Sequence, residues 1–378
     1  MSRPRLLFVV ESGTDVRLVE GLAEHFDLSI VARKIEGGVE ISWPPSTQVP
    51  TTIGPSGRVA FARFVFRELI RRKSQIDVVL AQGYGPVALA ANTSRQFTGK
   101  PVILLVCSPV EAYYRCRLRH ANGRPYQKHE AALINFFARA NAMASPKYVV
   151  LSGHLEDIVR GRGARRVHNI PIYGVDTTLF YPSSRPKSEI KKQLQLPTGG
   201  TLIFFSSRIA PEKDCETLLR AVRRLLDSGH NLWLLHRSGG YHSFQRDAAS
   251  FGVLDRVIAT DAVHPHRQLP LDYQACDICV QASREEGLGF SPLEALACGV
   301  PVVATSVGGL KETIIDGRTG WTYPVGDDEK LANQIADIIA NPAEGAWRAA
   351  AGRQLVCDRF ERRMVFARFA ELVSKLSS

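Results

Sequence analysis

The sequence predicts an α/β chain built on two doubly wound parallel sheets. Three observations carry this. Apolar runs of strand length alternate with helix-length segments through the first half. The same alternation starts again at Thr201, and between the halves lies Tyr181-Pro182-Ser183-Ser184-Arg185-Pro186-Lys187, whose proline and serine content reads as a linker. At 378 residues and 45% apolar, the chain exceeds one typical domain and can bury two cores.

In chain order, residues 6–10, 28–31, 78–80, 102–106 and 148–151 are the strands of the first half. Arg3 and Arg5 precede an apolar run too brief for a secretory leader, so it reads as the first core strand, and no stretch is long enough to span a bilayer. Residues 1–184 form the first domain, 185–359 the second, and 360–378 a terminal segment of helical pattern. No short-period repeat is present.

The second half opens with the apolar strand 202–205, which leads into Ser206-Ser207-Arg208-Ile209-Ala210-Pro211-Glu212-Lys213 and then an amphipathic helix. Two cations at one strand end suit a diphosphate, Arg208 as a planar fork and Lys213 as a point charge, although a solvated loop is the plainer reading of lone surface cations. Further on, the run 276–282 is apolar enough for a buried parallel strand, with Glu286 expected at its end. Gly287 and Gly289 then supply a sharp turn. Ser291 is expected as the N-cap of a short helix, Pro292 as its first residue and Gly299 just past its end, before the next strand at 301–305. Strand, glycine turn, helix and strand place free amides and a helix N-terminus at the carboxyl edge of the sheet, where a phosphate binds. Glu286 and Glu294, eight positions apart, can accept hydrogen bonds from sugar and ribose hydroxyls there. Ser291-x-x-Glu294 also matches a capping box, in which Glu294 only bonds back to the Ser291 amide.

These residues resemble the retaining glycosyltransferases of family four. Arg208 and Lys213 match its diphosphate-binding pair, Glu286 through Glu294 its E-x7-E signature, and Gly308-Gly309 with Asp316-Gly317-x-x-Gly320 the tail of its motif. The resemblance covers most of the chain and is strongest in the second half. It implies the GT-B fold, two Rossmann-like domains facing each other across a cleft, the final helix crossing back to the first. It implies transfer of a hexose, of glucose, N-acetylglucosamine or glucuronate type, from a UDP-sugar to a hydroxyl of a glycan or lipid-linked acceptor, in polysaccharide or glycoconjugate biosynthesis. The α-configuration would be retained, by front-face attack assisted by the diphosphate. Arg208, Lys213 and Glu286 would be catalytic. The donor would be held by Gly13, Arg208, Lys213, Val263, Glu286, Gly287, Leu288, Gly289, Phe290 and Glu294, with Glu294 on the ribose and Glu286 on the hexose. No cofactor is expected. In particular no metal is, for the chain has no Asp-x-Asp triplet to chelate one beside the phosphates.

The first half departs from the family at three places. Gly13 stands alone where many relatives have paired glycines, Cys107-Ser108-Pro109 replaces a histidine near the reacting centre, and Tyr173-Gly174-Val175-Asp176 stands where Asn-Gly-Val-Asp is common. Glu11, Asp15, Ser108, Glu111, Tyr113 and Arg115 become the acceptor-side candidates, and Arg17, Arg115 and Arg117 would suit an anionic glycan or pyrophosphate-linked lipid. Two other classes stay open: a catalytically silent nucleotide-sugar-binding protein of the same fold, and a transferase using GDP-mannose. An NAD-dependent enzyme is poorly supported, because no Gly-x-Gly-x-x-Gly opens a helix after a strand.

The formal net charge is +11. Residues 1–184 carry 24 basic and 14 acidic side chains and residues 185–378 carry 24 and 23, so nearly the whole excess belongs to the first domain. One source is 58–73, where Arg63, Arg67, Arg71, Arg72 and Lys73 alternate with Phe61, Phe64, Phe66 and Ile70; a second is Arg115, Arg117, Arg119, Arg124 and Lys128. The first run reads as a basic amphipathic helix that packs its aromatics in the core, with peripheral contact to an anionic membrane surface as the sharper alternative. No nucleic-acid motif accompanies the charge. Seven cysteines, an odd number scattered along the chain, suit a reducing cytoplasm, with the inner membrane face as the place of any peripheral contact. Cys276-x-x-Cys279 with His264 and His266 upstream has the look of a metal site, but its position on a buried strand favours a core role.

Overall fold

The computed structural model of the protein describes residues 3–35, 49–122, 127–144, 147–237, 240–260 and 267–377. Val263, His264, His266 and Arg124 lie outside them. The chain divides into two compact units: Met1–Glu111, Tyr126–Gly174 and Arg362–Ser378 form the first, and Ala112–Pro125 with Val175–Glu361 the second. The change of unit at Gly174 precedes the Pro/Ser segment, and the helix Val110–Asn122 is grouped with the second unit from Ala112 onward.

The first unit holds β1 (Arg5–Val10), β2 (Asp27–Arg33), β3 (Thr51–Gly54), β4 (Val78–Gln82), β5 (Val102–Val106), β6 (Lys147–Val150) and β7 (Arg166–Asn169). They form one sheet in the order β3-β2-β1-β4-β5-β6-β7, every pair parallel. Apart from Arg5 and Gln82 at their ends, the central strands β1, β4 and β5 are apolar and buried, as a sheet covered on both faces requires. β3 and β7 have no counterpart in the sequence reading. Each is an edge strand of four residues with mixed polarity, so neither shows an apolar run.

The helix Arg58–Arg71 buries Phe61, Val65 and Leu69 and exposes Arg58, Arg63, Arg67 and Arg71. It is a core-packed helix with a basic outer face. The terminal helix Arg362–Ser377 belongs to the first unit, where Phe366 stacks on His25 at 6.1 Å and Phe369 meets Phe26 edge-on at 5.7 Å. Arg362 pairs with Glu24 there at 2.9 Å. Among the described residues no helix is long and apolar enough to cross a membrane.

The second unit holds β8 (Thr201–Phe205), β9 (Leu232–His236), β10 (Val257–Ala259), β11 (Ile278–Gln281), β12 (Val302–Thr305) and β13 (Trp321–Tyr323), in the order β10-β9-β8-β11-β12-β13 and again all parallel. Its core gathers Ile203, Phe205, Leu218, Val222, Leu234, Val280, Val303 and Trp321. Cys276 and Cys279 are buried beside this strand system, and burial pushes both thiols up, which keeps them neutral.

Both sheets reverse direction beside their first strand, between β1 and β4 and between β8 and β11. The same polar device secures each reversal. At the amino end, Asp77 precedes β4 and accepts the Arg5 amide at 2.9 Å; Asp277 precedes β11 and accepts the Leu202 amide at 2.9 Å. At the carboxyl end, Gln82 closes β4 and accepts the Glu11 amide at 3.1 Å, while Gln281 closes β11 and accepts the Ser207 hydroxyl at 2.9 Å. These glutamines fix the loop after the first strand of each sheet. In doubly wound folds that loop borders the ligand site.

Candidate functional site

In the second unit the loop after β8 and the loop after β11 meet at the reversal point and are tied together at four places. Ser207 bonds Gln281, the Arg284 amide donates to the Glu212 carbonyl at 2.8 Å, the Arg284 guanidinium donates to Asp214 at 2.7 Å, and Lys213 pairs with Glu286. Arg208 and Lys213 therefore share one strand-end region with Glu286, which lies 78 and 73 positions further along the chain. The Arg208 side chain is exposed and makes no hydrogen bond among the described residues. Lys213 and Glu286 are nearly buried, at 12% and 11% side-chain exposure, so their ion pair is poorly screened.

Glu286 stands in the loop beyond β11 rather than at the end of the strand, which stops at Gln281. Its Oε2 accepts from Lys213, from Ser283 Oγ at 3.1 Å and from Gln281 Nε2 at 3.3 Å. Its Oε1 accepts only from the Tyr113 hydroxyl, at 3.2 Å, among the described residues. Burial, and after it the charge of Glu286, push the Tyr113 phenol far up, so it is a permanent proton donor; the Gly287 amide in turn donates to the phenol oxygen. Arg117, one helical turn beyond Tyr113, donates to Glu212 at 2.6 and 3.3 Å. Burial alone would raise the Glu212 carboxyl, but bonds from Arg117 and its own amide, with the fields of Arg117 and Arg208, outweigh that and hold it below its ordinary range.

Glycines shape the turn that follows. Gly289 has φ of 90°, which only glycine adopts without strain, and a β-carbon there would stand 2.5 Å from Leu310. That geometry makes Gly289 the N-cap of the helix Phe290–Ala297, with no side-chain cap bond. The expected cap, Ser291, is the second helical residue, and Pro292 the third. A Ser291–Glu294 capping box is therefore not what closes this helix. Glu294 instead lies buried and accepts the Tyr273 hydroxyl at 3.0 Å, which shares a 2.9 Å bond with Ser206 of the loop after β8. The helix ends as anticipated: Gly299, at φ of 72°, donates to Leu296 at 2.9 Å and Val300 to Ala295 at 3.0 Å. Leu288 is buried and Phe290 half-buried in the same turn.

The first-unit candidates gather less tightly. Gly13, at φ of 87°, follows β1 and offers its carbonyl to Gln82 at 3.0 Å. Glu11 meets Arg58 at 3.2 Å; burial raises its carboxyl, opposed by Arg58 and Arg33. Asp15 caps the helix Val16–His25 and is engaged by Arg17. Ser108 is half-buried after β5, and Glu111 pairs with Arg162 at 2.7 Å. Arg115 is exposed. Tyr113, taken from the sequence as an acceptor-side residue, is grouped with the second unit and bonded to Glu286. Arg117, read as a cation for an anionic acceptor, is engaged by Glu212. At the position of the missing histidine, burial pushes the Cys107 thiol up to about 12, partly relieved by the Tyr173 hydroxyl 3.5 Å away.

Residues that sequence reasoning passed over complete the site: Gln281, Ser283, Tyr273, Asp214 and, as a donor-side group, Tyr113. The spacing of Tyr113 and Arg117, one turn apart on one helix, is the only local signal, and it does not reveal what they face.

Chemically, the arrangement offers an exposed cation in Arg208 and a nearly buried one in Lys213, a glycine turn with a helix N-terminus, and the buried carboxylates of Glu286 and Glu294. It matches an anion carrying a hydroxylated group. Residues 186–354 match the family model described as glycosyl transferases group 1. The chain is 33% identical over 210 residues to the GDP-mannose-dependent alpha-(1-6)-phosphatidylinositol monomannoside mannosyltransferase of Mycolicibacterium smegmatis, covering 53% of this chain and 54% of that one. The chain thus spans about half the length of the curated relatives it matches. Among solved structures it resembles sucrose-phosphate synthase of Thermosynechococcus elongatus, with a TM-score of 0.79, 22% identity and 99% of each chain covered. HepE of Anabaena, solved with UDP and glucose, gives a TM-score of 0.77 at 17% identity, over 99% of this chain and 100% of that one. At such identities the likeness is one of fold, and the fold is GT-B with its two Rossmann-like domains. Over residues 186–354, somewhat less than half of its length, the chain is similar to the glycosyl transferases group 1.

Proposed function

We propose that the protein transfers a hexose from a nucleoside diphosphate sugar to a hydroxyl of a glycan or lipid-linked acceptor, with retention of the α-configuration and without a metal. The observation that carries this is the Lys213–Glu286 pair beside Arg208 at the reversal point of the second sheet. As the glycosidic bond ionises, positive charge grows on the hexose and negative charge on the departing diphosphate. Arg208, Lys213 and the amides of the turn entering the helix Phe290–Ala297 are already in place to stabilise that diphosphate. Glu294, buried and oriented by Tyr273, is the group for ribose hydroxyls, and Glu286 for the hexose.

UDP is the first choice of nucleotide, because a fold relative was solved with UDP and glucose; GDP is the second, because a relative in sequence is named for GDP-mannose. The acceptor side falls to the first unit, with Glu11, Asp15, Ser108 and Glu111 as its candidates; Arg115, also a candidate, is grouped with the second unit. The exposed arginines of the helix Arg58–Arg71, with Val59 exposed among them, support contact with an anionic membrane that carries the acceptor.

The test is thermal melting against UDP, GDP, ADP, their glycosyl forms and NAD, followed by turnover with the hexosyl nucleotide that binds. A ligand held only by the folded state raises Tm. A shift with one nucleoside diphosphate and turnover that persists in EDTA is the expected result. Binding without turnover on any acceptor would favour a silent protein, and a shift with NAD alone would overturn the reading.

A further inference from the structure

The Tyr113 phenol makes two hydrogen bonds at the corner of the glycine turn. It donates to Glu286 Oε1 at 3.2 Å and accepts from the Gly287 amide. A sugar hydroxyl makes the same pair of bonds, one as donor and one as acceptor. Three donors already fill Glu286 Oε2, namely Lys213, Ser283 and Gln281. Oε1 is thus the oxygen left for an incoming hydroxyl, and the phenol stands on it.

We infer that Glu286 Oε1 and the Gly287 amide form a subsite for one hydroxyl of the donor hexose, and that Tyr113 fills this subsite in the empty protein and competes with the sugar for it. The inference rests on the donor site proposed above.

The surroundings hold Tyr113 in place for that role. Arg117, four residues on, is anchored on the fully buried Glu212, which fixes the helical turn carrying Tyr113. The phenol cannot leave by ionising, since burial and Glu286 keep its proton on. It can leave only by giving its two partners to another hydroxyl. Tyr113 then acts as a specificity gate: a hexose with a hydroxyl at this position replaces both bonds, whereas a deoxy sugar or bare nucleotide replaces neither.

The test compares wild type with Tyr113→Phe by calorimetric titration, using UDP, GDP and their glucose, N-acetylglucosamine and mannose conjugates. Phenylalanine keeps the ring and removes the competing hydroxyl. The expected result is tighter binding of the hexosyl nucleotide by about 10-fold, the size of one charge-assisted bond, with the Kd of the parent nucleoside diphosphate unchanged. Hexosyl binding that is unchanged or weaker in Tyr113→Phe, while wild type binds normally, would overturn this inference and leave the proposed function standing. Failure of wild type to bind any of these nucleotides would overturn both. A melting temperature of Tyr113→Phe within a few degrees of wild type shows that the comparison is between two folded proteins.

Discussion

The amide of Gly309 donates to the carbonyl of Glu286 at 3.1 Å, and the two glycines Gly309 and Gly287 touch backbone to backbone. A β-carbon on Gly309 would overlap the Gly287 carbonyl oxygen and stand 2.7 Å from Leu288 Cα. The loop after β12 thus buttresses the turn that carries Glu286, and it can do so only without a side chain.

Gly309→Ala should therefore push the Glu286–Gly289 turn out of place. Because the obstruction is backbone and not a flexible side chain, the loss should fall at the upper end of overpacking effects, about 2–3 kcal/mol in denaturant unfolding. Nucleotide binding should weaken with it. Gly317→Ala is the control: it has a positive φ but open space around it, so it should cost only the strain, about 1 kcal/mol, with binding intact. Equal effects of the two substitutions on binding would show that the Gly309 contact does not shape the site.

Lys213→Ala removes the cation from a nearly buried carboxylate and from the proposed diphosphate site together. Glu286 keeps Tyr113, Ser283 and Gln281 as donors, so the fold should hold. Turnover should fall about 100-fold or more, since a charge-assisted contact that strengthens in the transition state is lost. Single-turnover rates at saturating donor, measured beside Tm, separate the two effects. Unchanged turnover would remove Lys213 from the mechanism.

What the sequence made legible follows from how local each signal is. The buried central strands β1, β5, β8 and β12 are continuous apolar runs and could be read directly; the edge strands β3 and β7 are half-exposed and could not. The Gly287–Gly289 turn and the helix end at Gly299 rest on residues whose type carries the geometry, whereas the Lys213–Glu286 pair joins distant positions and appears only in the fold. The helix start was misplaced because Ser291 has the right chemistry for a cap. The backbone, however, needs φ of 90° two residues earlier, and glycine at 289 meets that need. Tyr113 and Glu286 lie 173 positions apart, and nothing in a one-dimensional pattern brings them together. Likewise, Gln82 and Gln281 look like ordinary strand ends until the order of each sheet shows that both sit at its reversal point.

A pH dependence follows from Asp77. Hydrogen bonds from Arg5, foremost among the causes, lower this carboxyl from the ordinary 3.8 to about 2. A carboxylate with a depressed folded value contributes stability that is complete above its unfolded value and is lost as the pH falls through its folded one. Asp77→Asn should accordingly be less stable than wild type at neutral pH, with the gap closing between about pH 4 and pH 2. The pair is partly exposed, so the gap at neutral pH should be modest, from a few tenths to about 1 kcal/mol, and smaller in high salt. A gap that widened in acid would contradict the assignment.

Arg117 and Glu212 provide the sharpest test of how the second unit holds its loop after β8. The Glu212 side chain is fully buried, while Arg117 is about half exposed at 51%. The two partners therefore differ in what their removal leaves behind. Arg117→Met strands a buried carboxylate that only its own amide and the more distant Arg208 still favour, and should lose about 1–3 kcal/mol. Glu212→Gln leaves an arginine that can turn to water, and should lose less. In the double variant the stranded charge is gone, so the combined loss should be smaller than the sum of the single ones. Because Glu212 precedes Lys213 and its carbonyl receives the Arg284 amide, the same cycle read in nucleotide affinity should show Arg117→Met as the weakest binder and the double variant partly restored. Strict additivity in both stability and affinity would mean that the ion pair is incidental to the loop it spans.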